Sequence, residues 1–173
     1  AWPDVCHAVP EARLVLVGGD GIGYGLEAPA GDNHLEDGLA ELPDHVIRSR
    51  IHWLGHLGYG DMIKLLQCSA CHLGLSYPYT LSWSVLEAMA CGAPLISNHD
   101  SPIAIECRDA TPPSISLIPF NDHLALSSAV IELLGNPTER RLLGTAARGW
   151  MERHCSLSQA LEGYEALFER LVS

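Results

Sequence analysis

Short apolar runs alternate along this chain with longer stretches whose apolar positions recur every three or four residues, a pattern of strands followed by amphipathic helices. Ala12 to Gly19 (ARLVLVGG) is an apolar run closed by glycines and predicts a buried strand. Leu35 to Leu42 predicts a short helix that stops before Pro43, and Ile51 to Leu54 a second strand ending at Gly55. Tyr59 to Ala70 carries apolar residues at 62, 63, 65 and 66, one stripe of a helix, and Cys71 to Ser76 reads as the next strand. A loop past Pro78 leads into a helix from about Ser82 to Cys91, ended by Gly92 in the left-handed position that glycine takes just beyond a helix. Pro94 to Ser97 and Ser114 to Ile118 are further strands. Between them Ser101 and Pro102 open a helix, as cap and first residue, that ends near Cys107. Helices then close the chain: Asp122 to Leu134, a second begun by Asn136-Pro137-Thr138-Glu139, and a third capped by Ser156 and running to about Val172.

Strands that alternate with helices predict an α/β fold with a parallel sheet flanked by helices. The 173 residues suit one domain. The chain does not begin with Met, and Ala1-Trp2-Pro3 enters a helix, so a piece of a longer protein is expected.

Charge narrows the partners. Ten basic residues against 21 acidic ones leave a net charge of −11, without the basic face that nucleic acid requires. An anionic small ligand would have to be held by helix N-termini or a few local cations. No apolar run approaches the ~20 residues of a membrane span. The six cysteines fall mostly inside apolar runs, where a free thiol acts as a small hydrophobe. A reducing, cytoplasmic setting follows as the expectation, with peripheral membrane contact open to the longer protein.

Three patterns invite cofactors. Cys68-Ser69-Ala70-Cys71-His72 has the form of a c-type haem attachment site, but it straddles a helix end and a strand start. Cys68 is expected to face the core from the helix and Cys71 from the strand. Gly18 to Gly25 (GGDGIGYG) is rich in glycine, yet no G-x-G-x-x-G can be laid on it. The nine histidines include no pair at i, i+4 spacing with an acid between them. Neither a metal nor a resident cofactor is expected.

The stretch from Tyr79 to Pro94 (YTLSWSVLEAMACGAP) carries the chemistry. A helix that begins just past the carboxyl end of a parallel strand offers free N–H groups and the positive end of its dipole, a site for phosphate. Thr80, Leu81 and Ser82 supply backbone there, Glu87 lies more than a turn further on, where a carboxylate can accept from a ribose diol, and Tyr79 sits at the loop. Ser84-x-x-Glu87 also has the form of a capping box, in which the acid only closes the helix start.

LSWSVLEAMACGAPLIS resembles the donor-site segment of the retaining glycosyltransferases of family 4, written E-x7-E followed by A-M-A-x-G-x-P. The resemblance extends through PEARLVLVGGDG, RIHWLGHL, SPIAIE and the tail helices. It implies the C-terminal, nucleotide-sugar-binding half of a two-domain, GT-B type enzyme with Rossmann-like domains, the first strand and helix of this half lying before Ala1. By this resemblance Glu87 is the ribose ligand. Thr80, Leu81 and Ser82 present amides to the phosphates and sugar, Leu57 lies against the base, and the glycine turn at Gly19 approaches the ligand. Tyr79 stands where the family has its first glutamate, a departure that puts a neutral phenol at the sugar-binding and catalytic position. The implied partners are a nucleotide-diphosphate sugar as co-substrate, an acceptor of unknown kind, and an acceptor-binding domain that precedes the chain. The alternative is a nucleotide-binding module without transferase activity.

Overall fold

The computed structural model describes residues 1–19, 34–42, 44–76 and 80–172. The glycine-rich stretch beyond Gly19, and Tyr79, lie outside them. Contacts divide the chain into two compact units, Ala1–Met62 and Ile63–Ser173.

In the first unit, α1 (Trp2–Ala8), β1 (Leu14–Leu16), α2 (His34–Ala40), α3 (His45–Arg48) and β2 (Ile51–Trp53) precede the start of α4 (Tyr59–Cys68). The strands pair in parallel, with Leu14 opposite Ile51 and Leu16 opposite Trp53. Val5, Cys6, Ala12 and Ile47 are buried. Side-chain donors tie α1 to α3 and to the residue just before β2: the Trp2 indole N–H donates to the Ile47 carbonyl at 3.3 Å, and Arg50 donates to the Cys6 carbonyl at 3.1 Å. The four residues of α3 are too few to display a period. That helix exists because Asp44 Oδ1 accepts from the Val46 amide at 2.8 Å and because Ile47 is buried.

The second unit contains β3 (His72–Gly74), α5 (Trp83–Ala90), β4 (Leu95–Asn98), α6 (Pro102–Glu106), β5 (Ser116–Ile118), α7 (His123–Gly135), α8 (Pro137–His154) and α9 (Leu157–Val172). Its strands run parallel in the order β3-β4-β5, and every residue of the central β4 is buried. Val85 and Met89 of α5 pack with Leu95, Ile103, Ala147 and Trp150 into one apolar core. Helix starts are capped as the spacing predicts. Ser101 Oγ accepts from Ala104 N, Asp122 Oδ1 from Ala125 N, Asn136 Oδ1 from Glu139 N and Ser156 Oγ from Gln159 N.

Helix α5 ends as expected. Gly92 has φ +75°, its amide donates to the Met89 carbonyl, and the Ala93 amide reaches back to the Ala88 carbonyl, both at 2.9 Å. This pair of bonds is the Schellman closure.

One packing expectation fails. Cys68 is exposed, whereas Cys71 is half-buried. The apolar stripe of α4 buries Leu66, and a residue two further along a helix of 3.6 residues per turn points to its opposite side. All six thiols are free, and burial pushes that of Cys71 up, against the pull of Arg140.

Burial also holds the imidazole of His72 below its ordinary pKa. The unfolded chain therefore binds more protons here than the folded one. The contribution is full above a pH of about 6.5 and is lost as the pH falls below it. The melting temperature is expected to drop between pH 7.5 and pH 5.5, and His72→Gln to flatten that drop. An equal slope in wild type and variant, measured calorimetrically, would remove His72 from the account.

Candidate functional site

In each unit the candidate residues lie at or just past the carboxyl ends of parallel strands, where open α/β sheets bind ligands. In the first unit, the chain leaving β1 and the chain leaving β2 are tied together. The Gly18 amide donates to the Gly55 carbonyl at 2.9 Å, and the Trp53 indole N–H donates to the Gly18 carbonyl at 2.9 Å. Gly19 is in close contact with the His56 imidazole, so that a Cβ there would collide with Nε2. Leu57 follows on the same loop, half-buried. Gly19 and the loop bearing Leu57 thus share one strand-end cluster.

The second cluster is built around the start of α5. Ser82 is its N-cap residue, with no side-chain cap, and its hydroxyl instead bonds that of Ser84 at 2.9 Å. The first intrahelical bond runs from the Leu86 amide to the Ser82 carbonyl at 3.2 Å. The amides of Trp83, Ser84 and Val85 therefore precede the helical ladder and have no partner within it. Thr80 and Leu81 lie just before the cap. Together with Gly74, Ser76, Ser82, Val85 and Ser101 they line a narrow cleft with no charged side chain among its described lining residues.

Glu87 stands on the outward face of α5. Val85, Ala88 and Met89 are buried on the core side, and Glu87 follows Trp83 and Ser84 by one turn, half-buried. No salt bridge or side-chain hydrogen bond engages its carboxylate among the described residues. The capping-box alternative fails on position. With Ser82 as cap, Ser84 is already the second helical residue, and the box would need its acid at Val85. Glu87 is left as an acceptor without a structural task.

Sequence reasoning passed over Asn98, Ser76 and Trp83. Asn98 is fully buried at the end of β4, and the signal was a lone amide closing the apolar run Pro94 to Ser97. Trp83 opens the helix and is 80% exposed, and nothing in the linear pattern sets it apart. A roomier hollow of about 320 Å³ lies between Pro112, Ile115 and helices α7 and α8, and its charged groups are Glu132 and Glu139. Two carboxylates unfit it for a diphosphate. Among the described residues no group of three or more His, Cys, Asp or Glu side chains is placed to hold a metal.

Against known proteins, the profile of the family described as glycosyl transferases group 1 matches residues 1–150. A GDP-mannose-dependent monoacylated alpha-(1-6)-phosphatidylinositol monomannoside mannosyltransferase of Corynebacterium glutamicum is 28% identical over 186 residues, which take in 100% of this chain and 41% of that protein. An uncharacterized glycosyltransferase of Methanocaldococcus jannaschii is 22% identical over 177 residues, again 100% of this chain and 41% of the relative. The chain thus spans about two fifths of the length of these curated relatives. Among solved structures, sucrose-phosphate synthase from Thermosynechococcus elongatus superposes with a TM-score of 0.76 at 21% identity, over 99% of this chain and 41% of that one. Anabaena HepE in complex with UDP-glucose gives a TM-score of 0.77 at 15% identity, over 98% and 44%. The fold is the Rossmann-like α/β arrangement of GT-B proteins, parallel sheets with flanking helices.

Proposed function

The chain belongs to the group 1 glycosyltransferases, and from that footing we propose that it is the single donor-binding, C-terminal domain of a retaining hexosyltransferase of family 4. The observation that carries this reading is the uncapped start of α5 at the carboxyl end of β3, with Glu87 one turn beyond it on the outward face. The diphosphate of a nucleotide sugar sits at the free amides, where the helix dipole and N–H groups take up negative charge. Thr80, Leu81 and Ser82 bring the backbone to it. Glu87 accepts from the ribose diol, Leu57 covers the base, Gly19 lets the β1 turn come close, and Tyr79 meets the sugar.

Catalysis on this reading is electrostatic. As the bond from the anomeric carbon to the diphosphate breaks, charge grows on the leaving oxygen, and preorganised N–H donors stabilise it more than they stabilise the bound donor. Cations and the acceptor site come from the part of the enzyme that precedes this chain. The acceptor hydroxyl oxygen then bonds to the anomeric carbon on the face the diphosphate leaves, which retains configuration, and its proton passes to the departing diphosphate oxygen. On this reading the transfer takes place in the cytoplasm, with any membrane contact of the longer protein peripheral.

The test is thermal unfolding of the full-length protein with GDP, UDP, ADP and NAD. GDP and UDP come first because the Corynebacterium relative is named for GDP-mannose and HepE was solved with UDP-glucose. A ligand at a hundred times its Kd that binds only the native state contributes about 2.7 kcal/mol. At about 2–4 °C per kcal/mol for a domain of this size, that raises the melting temperature by roughly 5–11 °C. One nucleoside diphosphate is expected to do so selectively. A flat response to all four, or NAD outperforming the diphosphates, would sink the reading.

A further inference from the structure

The last two residues of β4, Ser97 and Asn98, are both fully buried, and both reach across to the end of β3. Ser97 Oγ donates to the Gly74 carbonyl at 2.7 Å and is linked at 2.8 Å to Ser101 Oγ, the cap of α6. This group of hydroxyls is satisfied. Asn98 differs. Its Oδ1 accepts from the Ser76 amide at 2.9 Å, which leaves Nδ2 facing the other way, and Nδ2 is buried with no hydrogen-bond partner among the described residues.

A buried amide donor without an acceptor is destabilising, and side-chain amides in cores are normally satisfied. Ser76, the residue Asn98 holds, lies two positions past β3 and lines the cleft with Thr80, Leu81, Ser82 and Ser101. Ser101 is tied to Asn98 as well, its amide donating to the Asn98 carbonyl at 3.0 Å. Asn98 thus sits directly behind two walls of the cleft.

We propose that Asn98 is a positioning residue of the donor site: it holds the two cleft walls at Ser76 and Ser101 in place, and its Nδ2 gains an acceptor in the nucleotide-bound state. This rests on the donor-binding reading above. It separates two neighbouring buried polar residues by role, Ser97 serving the fold and Asn98 the ligated site.

The experiment is calorimetric titration of the full-length protein with GDP and with UDP, in wild type, Asn98→Ala and Ser97→Ala, alongside the melting temperature of each without ligand. Asn98→Ala removes a hydrogen bond and an unsatisfied donor together. It is expected to lower the ligand-free melting temperature no more than Ser97→Ala does, yet to weaken nucleotide binding at least tenfold. Ser97→Ala is expected to keep its Kd within about twofold of wild type. An Asn98→Ala protein that binds within twofold of wild type would overturn the proposal and leave the donor site standing. A wild-type protein that binds neither nucleotide would overturn both. If Asn98→Ala does not fold, Asn98→Ser is read by the same criterion.

Discussion

Replacing Glu87 with alanine lowers the affinity of the full-length protein for its nucleoside diphosphate about a hundredfold and leaves the stability of the ligand-free protein almost unchanged. The two halves of this expectation have separate causes. Hydrogen bonds to a charged acceptor are worth about 1.5–3 kcal/mol each. A carboxylate holding both hydroxyls of a ribose therefore accounts for roughly a hundredfold in Kd once its own desolvation is set against them, at about 1.4 kcal/mol per factor of ten. Stability is indifferent because Glu87 lies on the outward side of α5, with no salt bridge or side-chain hydrogen bond to lose among the described residues. Alanine is also at least as good a helix former. Glu87→Gln keeps an acceptor without the charge and is expected between the two. Titration calorimetry with the nucleotide found active in the unfolding assay reads the result directly, and an alanine variant that binds like wild type would take the ribose away from Glu87.

The second large effect falls on stability. Gly144→Val is expected to lower the melting temperature by about 2–12 °C, since overpacking of this kind costs about 1–3 kcal/mol and a domain of this size loses about 2–4 °C per kcal/mol. A Cβ on Gly144, in the buried middle of α8, would collide with the carbonyl oxygen of Gly92. That oxygen cannot retreat cheaply. It belongs to the left-handed residue that closes α5, whose amide and its neighbour's are already committed to the Met89 and Ala88 carbonyls. The contrast within the same helix is Gly149, where a Cβ would meet only the Arg153 guanidinium at 3.2 Å, the far end of a flexible side chain. Gly149→Ala should therefore be neutral or raise the melting temperature, because glycine costs about 1 kcal/mol relative to alanine in a helix. A Gly144→Val protein that melts with the wild type would mean that α5 and α8 do not approach each other as closely as they do in this structure.

These contrasts show what the chain's linear pattern could and could not convey. The order of strands and helices was legible from apolar spacing, and the boundaries from residues whose roles are local. Gly92 past α5 and Ser101-Pro102 before α6 act on bonds within a few positions of themselves, as do Asp122 and Asn136, so their meaning survives without the fold. The motif around Glu87 was legible for the same reason, since cap, acid, glycine and proline lie on one helix and its exits. The helix α3 was not legible, because four residues show no period.

The sequence by itself determined the alternation of strands and helices, the helix ends, the net negative charge, and the presence of one carboxylate a turn beyond a strand-to-helix junction. The tertiary structure decided that Ser84 and Glu87 form no capping box, by making Ser82 and not Ser84 the cap residue of α5. It also decided that Cys68 faces outward, that Gly144 must stay bare, and that Asn98 lies under the cleft with half its amide unpaired. The physical reason is common to all of these. A residue's local conformation depends on neighbours along the chain, whereas its contacts depend on atoms brought to it from tens of positions away, and spacing along the chain carries no record of those.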